Sequence, residues 1–296
     1  MKITGLDIGG SYMKVAHYSS LFSLSSLSYD SIQKLKFPSG DTSNKDNFID
    51  GLISVLQKFD SDAYGIAVAG FVQNGIVLSS PNIPALTDVN LCKIIKDKFK
   101  KDCVVGNDAT LASYGEYRFG ASRNSTISVC FTIGTGLGGG TVIYGQPLFG
   151  VSGLGMEIGH TKISSESRKC SCGNIDCVEE YVSARALVRF YGEDTKPENI
   201  IDLAKTGDTR ARKAIDTMSE HICSIVVNAV HIFNPDTVVL AGGTVEHFPE
   251  IVDMVKSKFK NKVIKPFSCE IKKAELGEFS GCLGALAIAE SFVKGK

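Results

Sequence analysis

Ile3-Thr4-Gly5-Leu6-Asp7-Ile8-Gly9-Gly10-Ser11-Tyr12-Met13-Lys14-Val15-Ala16-His17 opens with an apolar run that ends in an acid and two glycines. A second apolar run, Val15 to Tyr18, follows at once, so the segment predicts a strand, a tight glycine turn and a strand. The plan recurs about 125 positions on, where Ser128 to Tyr144 reads strand, Gly134-Thr135-Gly136-Leu137-Gly138-Gly139-Gly140, strand. The likeness is one of pattern, not of residues. Two related lobes, divided just after Asp108 to Ala112, are the simplest reading, and each would offer one glycine turn to a ligand between them.

Further strands are expected at Tyr64 to Ala69, Val104 to Gly106 and Thr237 to Leu240, alternating with helical patterns as in an α/β protein. The clearest helix runs from about Asp208 to Phe233. Ala211, Ile215, Met218, Ile222, Ile225, Ala229 and Ile232 step along it by three or four, and Asn234-Pro235 ends it. Serine-rich Ser19 to Ser31 is expected to be a hairpin turn with an edge strand.

Composition removes several function classes. The 296 residues carry 32 basic and 32 acidic side chains, so no net field points to nucleic acid or an anionic membrane. No run of about 18 apolar residues spans a bilayer. Asp7 interrupts the first apolar run too early for a secretory signal, which predicts a cytoplasmic, reducing setting. Nine cysteines are then not a disulfide framework. Six of them (Cys92, Cys103, Cys130, Cys223, Cys269, Cys282) lie mostly in apolar patterns and are expected as buried thiols.

Glycine admits an anion close to consecutive backbone amides. The first turn supplies Gly9, Gly10 and the Ser11 hydroxyl, and the second supplies Gly134, Thr135, Gly136 and Gly138. Asp7, at a strand end, could hold magnesium through water. Neither turn has the form of a P-loop or of a dinucleotide-binding unit, and two ordinary hairpins remain the alternative. A third turn, Gly242-Gly243-Thr244, closes a strand before a helix and could also face a nucleotide.

Val104 to Ala109 is an apolar strand that ends in Asn107-Asp108 just before a helix. Asp108 has two readings. It could be the helix N-cap, which this segment alone favours, or a base at the carboxyl end of a strand. His160, Cys170, Cys172 and Cys177 form H-x9-C-x-C-x4-C, a donor set and spacing that suit a structural tetrahedral zinc, with Gly173 supplying the turn. A reactive dithiol is the rival. With one ring nitrogen of His160 on zinc, the other could meet a ligand hydroxyl, so Glu157, His160 and Glu179 would suit a polyol, most naturally a sugar.

Together these motifs resemble the ROK family of sugar kinases, within the actin-like ATPase superfamily, over nearly the whole chain. Asp7 to Ser11 and Ile133 to Gly140 resemble its two phosphate motifs, Asn107-Asp108-Ala109 its catalytic segment, and Glu157 to His160 with Cys170 to Cys177 its signature and zinc motifs. The resemblance implies a two-lobed actin-like (ribonuclease H-like) α/β fold with a cleft between lobes. The small lobe would be residues 1–112, with a terminal helix at about 283–296 packed back on it, and the large lobe 113–282. It implies ATP, Mg2+ and structural Zn2+, Asp108 as base, and Asn82, Asn107, Glu157, His160 and Glu179 on the sugar. Gly65 to Gly70 resembles a further pocket segment, and Lys14 and the third turn would join the nucleotide's site.

The expected reaction is transfer of the γ-phosphate to a hexose hydroxyl, most naturally at carbon 6, by a homodimer. N-acetylmannosamine, N-acetylglucosamine, fructose or a β-glucoside are alternative acceptors. A sugar-responsive transcriptional regulator is the rival class. Its helix-turn-helix segment would precede the first glycine turn, where Asp7 leaves six residues. Four positions depart from the family pattern. Ser11 and Tyr12 stand where threonine and lysine are usual, Ser11 keeping the hydroxyl and Lys14 following two places on, and Met156 and Asp176 stand where glycine is common; Met156 could change pocket shape.

Overall fold

The computed structural model describes residues 1–19, 31–192 and 195–295. The serine-rich segment expected as a hairpin lies almost wholly outside them. The chain divides into two compact units: Met1–Arg123 with Pro147–Gly155 and Glu278–Lys296, and Asn124–Gln146 with Met156–Gly277.

The first unit contains β1 (Lys2–Ile8), β2 (Tyr12–Ser19), β3 (Gln33–Pro38), α1 (Lys45–Leu56), β4 (Ala63–Val68), β5 (Phe71–Gln73), β6 (Ile76–Ser79), β7 (Val89–Asn90), α2 (Leu91–Phe99), β8 (Asp102–Asn107) and α3 (Asp108–Phe119). The chain then forms β9 (Ile127–Ile133), β10 (Leu137–Ile143), β11 (Gln146–Pro147), α4 (Ala184–Tyr191), α5 (Pro197–Thr206), α6 (Thr209–Phe233), β12 (Thr237–Ala241), α7 (Gly243–His247), α8 (Ile251–Lys262) and β13 (Glu270–Lys273), and returns to the first unit as α9 (Ser280–Lys294).

The sequence repeat is a structural repeat. One sheet has the order β3-β2-β1-β4-β8 and the other β11-β10-β9-β12-β13. In each, a glycine turn joins an antiparallel pair, and parallel strands extend the sheet on the far side. Parallel strands β1, β4 and β8 all end at the same edge, since Ile8, Val68 and Asn107 lie in register. Polar groups at that edge are where α/β sheets present ligands.

α3 stays with the first unit, so the division falls at Arg123 rather than near 112. The cause is its crossing with α9: a Cβ on Gly284 would lie 1.7 Å from the Leu111 carbonyl oxygen, and one on Gly115 would lie 2.4 Å from that of Ser280. Only glycine at both positions allows two helix backbones to meet so closely. The second unit is filled instead by side chains, with Val129, Phe131, Val238 and Leu240 of its sheet in one cluster with Ile215, Met218 and Ile222 of α6.

Helix α6 begins at its Asp208 cap, whose side chain accepts from the Ala211 amide, and stops at left-handed Asn234. Ile232, placed by periodicity on its apolar face, is 68% exposed, because Val226 and Val230 supply the buried stripe at that end. The six cysteines expected to be buried divide evenly. Cys130, Cys223 and Cys282 are buried, whereas Cys92, Cys103 and Cys269 are partly exposed at element ends, where the core thins. Among the described residues no helix is long and apolar enough to cross a membrane.

Candidate active site

The first glycine turn is a closed hairpin. The Gly9 amide donates to the Tyr12 carbonyl at 3.0 Å, while Ser39 binds the outer backbone: its hydroxyl donates to Gly9 O at 2.6 Å and its amide to Ser11 O at 3.0 Å. Gly10 and Ser11 remain exposed at the tip. A Cβ on Gly10 would lie 3.4 Å from the Asn82 carbonyl oxygen, so the exposed Asn82 stands beside the turn.

Asp7 is set by register. Its strand partners are Lys14 on one side and Ala67 on the other, and Ala67 pairs with Gly106. Small neighbours leave space beside the carboxylate, and Gly281 of α9 leaves more: a Cβ there would sit 2.9 Å from Asp7 Oδ2. Lys14 Nζ stands 3.8 Å from the same oxygen. Burial, helped by the charge of Asp108, still pushes Asp7 up to about 7, with Lys14 opposing. Asp108 is raised as well, mainly by burial, against backbone hydrogen bonds and Lys14. Two desolvated acids that disfavour each other's ionisation mark a site for a cation or a proton.

The structure separates the two readings of Asp108. The cap of α3 is Asn107, whose Oδ1 accepts from the Thr110 amide at 3.1 Å, and Asp108 is the first helical residue. Asn107 Nδ2 also donates to Gly70 O at 3.2 Å, which joins the Gly65 to Gly70 segment to the Asn107-Asp108 corner. The capping role therefore belongs to Asn107, while the Asp108 carboxylate accepts from the first backbone amides of the helix, its own and that of Ala109.

In the second unit the turns are braced by their surroundings. Gly134 N donates to Gly136 O, Ala184 N donates to Gly134 O, and Leu137 N donates to Glu179 Oε2 at 3.1 Å. Gly242, at φ +95°, starts α7 so close to β9 that a Cβ on it would meet the Ile133 carbonyl oxygen at 2.5 Å. The second and third turns thus share the walls of one cavity of about 560 Å³ with Thr135, Arg185, Gly243 and Thr244. Glu157 precedes the short helical turn Ile158–His160, and Glu179 lies in the similar turn Val178–Glu180.

His160, Cys170, Cys172 and Cys177 converge, with their ligand atoms all within 4.8 Å of one another. Cys172 and Cys177 sulfurs are 3.6 Å apart, and His160 Nδ1 is 3.8 Å from Cys170 Sγ. Thiolates about 2.3 Å from a tetrahedral zinc stand about 3.8 Å apart, so the donor set fits that ion. Without a cation, burial and the neighbouring thiols push Cys177 up to about 12, so these thiols resist joint ionisation.

The two departures from glycine both fall at left-handed backbone, Met156 at φ +67° and Asp176 at φ +58°. Asp176 is stitched in by the amides of Ser167 and Arg168 and by the Tyr181 hydroxyl, at 2.7 Å from the last. Met156 packs on the second unit's core, and its sulfur accepts from Thr141 at 3.3 Å. Ser39, Arg185 and Gly281 were not singled out by sequence. Ser39, in Pro38-Ser39-Gly40, had a turn signal, but Gly281 acts through Asp7, distant in the chain, and Arg185 through Glu179, six residues back across a turn that carries no periodic signal.

Duplicate sheets with glycine hairpins at their edges, and a half-buried acid opening the helix after the third parallel strand, define an ATP-dependent sugar kinase of the actin-like ATPase fold. The chain belongs to the ROK family, whose sequence profile matches residues 3–291. It is similar to the glucokinase of Thermotoga maritima, with 30% identity over 324 residues that cover 100% of this chain and 99% of that protein. Its fold is similar to the ROK hexokinase of Thermus thermophilus (TM-score 0.88, 24% identity, all of both chains). It is also similar to the ROK glucokinase of Streptomyces griseus in complex with glucose and AMPPNP (TM-score 0.81, 25% identity, 98% of this chain and 100% of that one).

Proposed function

We propose that the protein transfers the γ-phosphate of ATP to the 6-hydroxyl of glucose or a closely related hexose. The observation that carries the reading is Asp108: half-buried, with a carboxyl pKa raised above the usual range by desolvation, at a strand's carboxyl end, with the capping role taken by Asn107. Its carboxylate accepts the hydroxyl proton as the sugar oxygen attacks phosphorus in line. Asn82, Asn107, Glu157, His160 and Glu179 orient the sugar's other hydroxyls, which lowers the entropic part of the barrier. Gly9, Gly10 and Ser11, with Gly134, Thr135, Gly136 and Gly138, place backbone amides and hydroxyls against the phosphates, and Lys14, Gly242 and Gly243 complete the nucleotide's contacts.

Magnesium held through water by Asp7 would neutralise charge spreading over the transferred phosphoryl oxygens. Zinc on His160, Cys170, Cys172 and Cys177 would be structural, since four protein ligands leave no open position, and it would fix the His160 ring for a sugar hydroxyl. The reading includes a homodimer in the cytoplasm acting on free sugar.

Asp108→Asn tests it. Turnover in a coupled ADP-release assay is expected to fall about a thousandfold, while calorimetry shows sugar binding within a few-fold of wild type. Near-normal turnover would overturn the assignment. Asp108 works as a base only when ionised, and burial raises its pKa, so wild-type turnover should fall with acidification from above the usual carboxylate range. A panel of glucose, N-acetylmannosamine, N-acetylglucosamine, fructose and a β-glucoside, ranked by kcat/KM, identifies the acceptor.

A further inference from the structure

One carboxylate links the second glycine turn to a cation. Glu179 Oε2 accepts from the Leu137 amide at 3.1 Å, and Oε1 accepts from Arg185 Nη2 at 2.7 Å. The fit is tight, for a Cβ on Gly136 would lie 2.3 Å from the same Oε2. Arg185 is the second residue of α4, and its side chain is 50% exposed whereas that of Glu179 is 13% exposed. It lines the cavity of about 560 Å³ beside Gly134, Thr135, Gly243 and Thr244. Among the described residues that line this cavity, it is the only arginine or lysine.

We propose that Arg185 is a phosphate-positioning residue for the nucleotide, and that its ion pair with Glu179 couples sugar occupancy to nucleotide affinity. The inference rests on the reading of Glu179 as a sugar ligand and of the glycine turns as the nucleotide's site. A guanidinium presents five donors in a planar fork, and carboxylate and phosphate compete for it as bidentate partners. Without sugar, Glu179 holds the guanidinium by one charge-assisted bond, Nη2 to Oε1, and keeps it on its own side of the cavity. A sugar hydroxyl that donates to Glu179 shares its negative charge and weakens the pair, which frees the guanidinium for a phosphate across the cavity. By linkage, bound nucleotide tightens sugar by the same factor. The exposure of Arg185 beside a mostly buried carboxylate is what such a transfer needs, because the arginine can turn while the carboxylate stays on the Leu137 amide.

Calorimetric titration with ADP and Mg2+, with and without saturating glucose, tests the coupling. In the wild type, glucose is expected to tighten ADP about tenfold, within the usual range of coupling between sites. Arg185→Met should leave sugar-free ADP affinity within about threefold of wild type and reduce the glucose effect to near unity. Glu179→Gln should act in the opposite direction, raising sugar-free ADP affinity toward the glucose-bound value, a result that mere structural damage would not produce. If Arg185→Met does not fold, Arg185→Lys serves, because its compact head cannot reproduce the fork and its coupling should fall below wild type. Full coupling in the arginine variants, or weakened sugar-free binding in Glu179→Gln, overturns the proposal. A wild type that binds ADP equally with and without glucose sinks the coupling alone, whereas a wild type that binds no ADP sinks the kinase reading beneath it.

Discussion

The two sheets share one strand order but meet their covering helices at different depths. In the first unit the contact is backbone on backbone: a Cβ on Gly65 would fall 1.8 Å from the Ala285 carbonyl oxygen, and one on Gly5 would fall 2.0 Å from that of Cys282. In the second unit a Cβ on strand residue Gly139 would meet a side chain instead, Ile158 Cγ2 at 2.6 Å, while the backbone approaches at Gly159 and Gly242 involve short elements rather than a long covering helix. Branched and aromatic residues fill the rest of that core. A duplicated plan has therefore been put to two uses. Backbone contact fixes the positions of Asp7 and Asp108, whose chemistry depends on small displacements, while the side-chain core supports loops that carry Glu157, Glu179 and the thiol cluster.

The largest expected effect breaks the second unit and spares the first. With zinc as the resident ion, its binding contributes to folding on the order of 10 kcal/mol. Purified protein should contain about one zinc per chain by elemental analysis. Strong chelation should lower the melting temperature, remove hydrogen-exchange protection around residues 160–182, and weaken sugar binding, while α9 keeps its protection. Well under one zinc per chain, or a chelated sample with unchanged melting and sugar affinity, would count against the metal.

The reverse experiment strikes the first unit. Gly65→Val must push α9 off the sheet, because the obstacle is a carbonyl oxygen rather than a flexible side chain, and about 3–5 kcal/mol should be lost in denaturant melts. Gly139→Ala, its counterpart in the second unit, needs only Ile158 to turn and should cost about 1 kcal/mol. Equal losses at the two positions would mean that the two cores do not differ in depth.

Asp7 sharpens the comparison electrostatically. Its pKa is near 7 in the folded chain and about 3.8 when unfolded. Below about pH 4 both states hold the proton and the residue contributes no penalty. Between pH 4 and 7 the unfolded chain releases the proton while the folded chain keeps it, so stability falls with rising pH, and above 7 the full penalty remains. Asp7→Asn should then match wild type near pH 4 and exceed it by about 4 kcal/mol at pH 8, and on the proposed magnesium role it should also lose turnover. A stability difference between variant and wild type no larger at pH 8 than at pH 4 would refute the strained-acid reading.

How much of this was legible depended on the range of the interactions. The hairpins around Gly9 and Gly136, strand β12 and helix α6 were readable because periodicity and turn residues are local signals. Strands β5, β6 and β7 were not read, being two to four residues long and lying in a small sheet of their own. Edge strand β13, Glu270-Ile271-Lys272-Lys273, carries the charges that keep edges from pairing, and those charges hide its strand pattern. Candidate site residues could be named singly, but their relations could not. That Asn107 rather than Asp108 takes the cap, or that Arg185 reaches back to Glu179, depends on side-chain directions set by packing.

The smallest predicted effect separates the two non-glycine residues held at left-handed backbone. An L-residue there costs about 1–2 kcal/mol relative to glycine. Asp176 offsets that cost with three hydrogen bonds, so Asp176→Gly removes more than it relieves and should destabilise by about 1–2 kcal/mol. Met156 has only partial burial and one bond from a hydroxyl to sulfur, a weak acceptor. Relief and loss should nearly cancel in Met156→Gly, leaving stability within about 1 kcal/mol of wild type in the same melts. Because the Met156 side chain packs on the core of its own unit, the substitution should also leave the ranking of sugars by kcat/KM unchanged. A changed ranking would show that Met156 acts on the sugar through the neighbouring Glu157, and would make this position a determinant of specificity rather than of packing.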